Sequence, residues 1–146
     1  MSHVRQQIRE AAAIVLTGLA ISGSRVFQNR LRPLKDADLP CLLINTDDED
    51  IETIGFTADA PQERRLTLMI RALAKQSLTL DDTLDNMLAE IESALARQTF
   101  GGLAKSLLLE KISIEMNDDL EKPVGVASAH YQLTYYTATG NPGTAL

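Results

Sequence analysis

The segment 63–75, ERRLTLMIRALAK, sets Leu66, Leu68, Ile70 and Ala72 against Arg65, Thr67, Met69 and Arg71. A period of two places one set on each face of a strand, so the chain is committed to a sheet whose apolar face something else must cover. Leu, Met, Arg and Ala also suit helices, which leaves a helix as the minority reading. A second alternating segment, 124–137, sets Val124, Val126, Ala129, Tyr131, Leu133 and Tyr135 among Ser128, His130, Gln132 and Thr134. Its β-branched and aromatic residues predict a final strand. Before it, Leu108, Ile112, Ile114 and Met116 share a parity that suits a strand packed on one face, and Asn117, Asp118 and Asp119 supply the hairpin turn.

The cover comes from two helical stripes. Val4, Ile8, Ala11, Ala12, Val15 and Leu19 predict a helix over about 3–19, with Ser2 as N-cap and Gly18 or Gly23 as the left-handed stop. Leu84, Leu88, Ile91 and Leu95 predict another over about 80–97. Thr79 is its N-cap, Asp81 and Asp82 sit in the positive first turn, and Gly101 and Gly102 punctuate its end. Between the helices, 22–34 reads as a short edge strand or hairpin arm limited by Pro33, and 39–46, LPCLLINT, as a brief buried strand. The stretch 47–61 reads as polar loop, and the tail as frayed from about residue 139.

These elements predict a single α+β domain over 1–146, with a mostly antiparallel or mixed sheet of four or five strands and two amphipathic helices on one face. At 146 residues and 45% hydrophobic content the chain can bury one core, and 4% aromatic residues with no Trp makes that core aliphatic.

The sequence offers little for catalysis. It has neither a G-x-x-x-x-G-K-[ST] loop nor G-x-G-x-x-G between a strand and a helix. His3 and His130, the two histidines, lie in no metal-ligand pattern, and the acidic run from Asp47 to Glu52 lacks the glycine and terminal glutamate of an EF-hand. Cys41, between Pro40 and Leu42, reads as an inert buried thiol; pairing it with His130 as a nucleophile needs a third, orienting group. Asp81 and Asp82 are explained by the helix dipole, and Tyr131, Tyr135 and Tyr136 by packing. No catalytic, cofactor or metal residue is expected. One cysteine implies a reducing compartment, and the apolar run 11–21 is too short to span a bilayer, so the chain reads as soluble and intracellular.

Charge is the informative feature. A net charge of −6 disfavours a binder of nucleic-acid backbone. From 25 to 35 stand Arg25, Arg30, Arg32 and Lys35 with no acid; from 36 to 62 stand eight acids with no base. Two adjacent, unlike patches suit a head-to-tail interface, in which each copy offers two different complementary surfaces. Pairing of the same groups within one chain is the alternative. The candidate contact residues are Arg25, Arg30, Arg32, Asp47, Asp48, Glu49 and Asp50.

The stretches LPCLLINTDDEDIE, ERRLTLMIRA, LDDTLDNMLAEIESAL, GGLAKSLLLEKISIEM and EKPVGVASAHYQLTYYTATGNPGTAL, in this order, resemble the tail terminator proteins of tailed bacteriophages and prophages, the minor tail protein U group. The resemblance implies an α+β subunit that forms a homo-hexameric ring, caps the completed tail tube, ends tube polymerisation and presents a surface to the head-tail connector protein. Its partners are then other copies of itself, the tail tube protein and the connector. Genome DNA passes through without specific binding, and neither membrane nor cofactor is involved. The location so implied is the virion tail, after assembly in the bacterial host cytoplasm. Another neck or head-completion adaptor is the alternative within the virion; a small enzyme using Cys41 or a metal at the acidic run is the alternative from another class.

Overall fold

The computed structural model describes residues 2–28, 35–117 and 124–146. The two alternating segments form the longest strands, β3 (Pro61–Lys75) and β5 (Val124–Ala138), paired antiparallel without interruption from Pro61 opposite Ala138 to Lys75 opposite Val124. On the far side of β3 lies β2 (Cys41–Thr53), antiparallel, with β1 (Val26–Phe27) parallel to its start. On the far side of β5 lies β4 (Ser106–Asn117), antiparallel, and β6 (Asn141–Ala145) pairs the end of β5 beyond the reach of β4. The order is β1-β2-β3-β5-β4, a mixed sheet of six strands in an α+β fold. Since β3 and β4 are both antiparallel to β5, they run parallel to each other, and α2 (Leu80–Leu95) makes the crossover between them.

Both helices cover one face. Val4, Ile8, Ala12 and Leu16 of α1 (Val4–Leu16), with Leu84, Met87, Ile91 and Leu95 of α2, pack against Leu66, Leu68, Ile70 and Ala72 of β3, Leu42 and Ile44 of β2, and Ala127, Ala129 and Leu133 of β5. The core is aliphatic, with Phe100, Tyr131 and Tyr135 as its buried aromatics. Gly125 lets α2 approach this closely: a Cβ there sits 2.7 Å from Leu80 Cδ2. On the other face Cys41, Leu43 and Leu73 form a small cluster with Phe27, Leu39 and Val126, and the Cys41 thiol is fully buried.

Several local expectations change. The N-cap of α1 is His3, whose Nδ1 accepts the Arg5 backbone N–H at 3.0 Å, in place of Ser2. The helix stops at Leu16, with Gly18 and Gly23 both at positive φ in the turn that follows. Thr79 occupies the cap position of α2 without a side-chain cap bond, and that helix ends at Leu95, before the glycine pair. The acidic run belongs to β2 and not to a loop: a bulge between Thr46 and Glu49 lets the strand continue to Thr53. The tail is strand β6, held by Gln7 Nε2 donating to the Gly143 carbonyl at 2.9 Å and by Leu146 N–H donating to the Tyr136 carbonyl. The expected turn at 118–119 lies outside the described residues.

The largest difference concerns β4. Ile112, Ile114 and Met116 do point to the helix side, opposite Ala129, Ala127 and Gly125, yet they are 40%, 48% and 47% exposed because the helices pack over β2, β3 and β5. A further irregularity between Leu109 and Lys111 breaks the expected parity, so Leu108 faces the helix-free side with Gln132. We expect Ile70→Ala to cost about 2–5 kcal/mol, and Ile114→Ala no more than about 1 kcal/mol. Urea unfolding at low micromolar protein checks this; equal losses overturn the assignment of β4 as an uncovered strand.

Candidate assembly surface

The bulge in β2 decides where each acid points. Before it, Leu42, Ile44 and Thr46 face the helices; after it, the inward parity passes to Glu49, which pairs with Leu66, while Asp50 pairs with Arg65. A bulge re-aims side chains in this way because one extra residue reverses the alternation. Glu49 is therefore turned into the structure, its side chain 5% exposed. It accepts a short hydrogen bond from Tyr135 Oη and a 3.2 Å charged bond from Arg64 Nη1, with Arg5 Nη1 at 3.9 Å. Arg64 spends its other donors on Thr137 Oγ1 at 2.9 Å and Gln62 Oε1 at 3.1 Å. Burial first, and then the Glu49 carboxylate, push the Tyr135 phenol far above its usual range, so it stays protonated and donates.

The cluster joins the N-terminus of α1 to β2, β3 and β5. His3 takes part as a base: burial, and then the Arg5 charge, hold its imidazole below the ordinary value, which keeps Nδ1 free to accept the capping bond. Sequence reasoning missed this site, although Arg64 shares the inward parity of Leu66 and Leu68, and a charge at a core-facing strand position needs a partner.

The other acids face outward. Asp47, Asp48, Asp50, Glu52 and Asp59 are exposed along the far half of the β2–β3 hairpin, with Ile51, Ile54 and a fully exposed Phe56 at its end. Of the basic segment, Arg25 is at the opposite end of β2: its Nε donates to the Pro40 carbonyl at 2.7 Å and its Nη2 to the Ile21 carbonyl at 2.9 Å. Arg30 and Arg32 lie outside the described residues. Asp48 and Asp50 are eight and ten residues beyond Pro40, and at about 3.3 Å per strand step, with one step lost at the bulge, they stand about 20 Å or more from Arg25. Arg25 therefore does not meet the acidic run within one chain. Glu49 leaves the set of surface contacts, since its partners are internal.

The sheet register keeps Cys41 and His130 apart. Cys41 is opposite Leu73, which is opposite Val126, so His130 is four residues and about 13 Å further along β5. Among the described residues no three of His, Cys, Asp or Glu are placed to hold a metal ion. No described helix is long and apolar enough to cross a membrane.

Neither a protein-family model nor a curated protein matches the chain. Among solved structures, a chain from the virion of native gene transfer agent (GTA) particle is similar at 13% identity and a TM-score of 0.48, over 93% of this chain and 92% of that one. A likeness at that level carries no argument about function.

The capping role of His3 predicts a pH dependence. The unfolded chain protonates His3 near its ordinary value of about 6.5, the folded chain only at lower pH, so the unfolded state gains protons first as pH falls. This contribution is complete above the unfolded value and is lost on acidification toward the folded one. His3→Asn keeps a side-chain acceptor and cannot titrate. Its urea midpoint between pH 7.5 and pH 5 therefore falls less than that of the parent chain; parallel curves overturn the assignment.

Proposed function

We propose that the chain is a structural component of a tailed-phage or prophage virion, a tail terminator whose copies form a ring, with six as the expected number. The ring caps the tail tube, stops its growth and offers a face to the head-tail connector, with genome DNA passing through unbound. The support is twofold. Five sequence stretches resemble the minor tail protein U group, and the fold has the α+β layout that the resemblance implies.

The carrying observation is the separation of charge along β2. Arg25 is fixed at its start and Asp48 and Asp50 project from its far half, too distant to pair in one copy. Separated unlike patches are what a heterologous contact requires, because each copy must present both members of the pair. Arg25 donates to two carbonyls at the start of β2, and Arg30 and Arg32 of the same basic segment are assigned to the contact alongside it.

Light scattering over a concentration series, with and without the tube protein, tests this reading. The expected result is a ring that forms at high concentration or on tubes and arrests their growth. Charge reversal by Arg30→Glu with Arg32→Glu weakens assembly by about ten-fold or more, and adding Asp48→Arg with Asp50→Arg restores part of it. A chain that never caps tubes but binds the connector is the neck adaptor instead; one that binds neither overturns both readings.

A further inference from the structure

We propose that the outer edge of β4 pairs antiparallel with β4 of a second copy, in the one register that places Ser113 opposite itself. This contact is independent of the ring: it is isologous, with a two-fold axis through Ser113, whereas the ring contact is heterologous.

Three observations converge. β4 is the terminal strand of the sheet, twelve residues long, and no described strand lies on its outer edge, which leaves a row of backbone donors and acceptors open. Its helix-side residues Ile112, Ile114 and Met116 are close to half exposed, an apolar strip at the period of a strand. Beyond the irregularity at Leu109, the segment 111–115 reads Lys-Ile-Ser-Ile-Glu, which is complementary to its own reverse.

That last point fixes the occupant. With Ser113 on the axis, Ile112 faces the second copy's Ile114 and Lys111 faces the second copy's Glu115, and symmetry makes each pair twice. Directly opposed residues in an antiparallel pair point to the same face. The four isoleucines then meet on the helix side and the two ion pairs on the other. The neighbouring registers that preserve the faces lose the ion pairs: centring on Ile112 sets Lys111 against Ser113, and centring on Ile114 sets Glu115 against Ser113. A slip of one residue puts each apolar side chain on the wrong face. A foreign strand has no reason to match this sequence, whereas a second copy matches it by symmetry.

The test is a charge swap read by sedimentation of the full chain over a concentration series. Lys111→Glu alone, or Glu115→Lys alone, turns two attractions into two repulsions and raises the dimer dissociation constant about ten-fold or more. The double swap K111E/E115K returns it to within about three-fold of the parent, since the same pairs re-form with signs exchanged. Lys111 and Glu115 are exposed, so monomer unfolding curves should coincide for all of these chains. Independently, Ser113→Cys yields a reducible two-chain band under mild oxidation, and Lys105→Cys, far from the axis, does not. A chain that stays monomeric throughout overturns the proposal. So does a dimer indifferent to the single swaps, one not rescued by the double swap, or one that lacks the link at 113. None of these failures touches the ring reading, whose contact residues are different.

Discussion

The fifteen-residue pairing of β3 with β5 is the constraint on which the other elements depend. Each strand offers its helix-side residues at a period of two, so the pair presents a continuous apolar band with Leu66, Leu68, Ile70, Ala129 and Leu133 at its centre. Such a band is stable only when covered, and α2, which follows β3 directly, is the nearest cover in the chain. Its route over the sheet delivers β4 to the far side of β5 and forces β3 and β4 to run parallel. The hairpin to β2 extends the sheet the other way and gives α1 its own ground. Apolar area at about 25 cal/mol per Å² makes this layer the main source of stability, ahead of any polar contact.

The widths of the elements explain why the apolar parity of β4 misled. A helix with its side chains is about 10 Å across and strands lie about 4.8 Å apart, so one helix covers about two strands. Two helices cover about four, and the sheet is five strands wide along its main path. Periodicity in a sequence reports which face a residue takes; it does not report whether the cover reaches that far. The strands β3 and β5 and both helices were legible because their signal is that local period. The bulges were not, since a bulge is a compromise between two strands and leaves no mark in either alone. The bulge at Thr46–Glu49 thus converted a polar loop into half of a thirteen-residue strand, and hid Glu49 among surface acids until its partners were placed.

Glu49 shows how specificity and stability separate. Removing a carboxylate and a guanidinium from water costs several kcal/mol per ion, and the attraction between them offsets that only when the remaining donors and acceptors are satisfied. Here they are: Arg64 reaches Thr137, Gln62 and Glu49, and Glu49 has Tyr135 and Arg5 besides. The cluster adds little beyond what well-packed apolar groups achieve, yet it admits one register. Sliding β2 by one residue buries Asp48 or Asp50 against Arg64 and turns Glu49 outward. A charged keystone at the bulge therefore fixes the hairpin's phase, and through it the outward direction of the acids assigned to assembly.

The two edges of the sheet are treated differently, and that difference carries functional weight. The β2 edge is blunted in familiar ways: β1 covers its start, a bulge interrupts it, and acids line its far half. Each of these discourages strand addition. The β4 edge carries one irregularity, at Leu109, and past that point runs regularly to Asn117 with isoleucines on the side of the apolar layer. If edge protection were the only pressure, the strand with more exposed apolar surface should be the better defended. It is the less defended one, and its charges, Lys111 and Glu115, are opposite in sign and equidistant from Ser113. Like charges at those positions repel a second copy; unlike charges recruit it. The sequence at this edge therefore favours a specific neighbour over none.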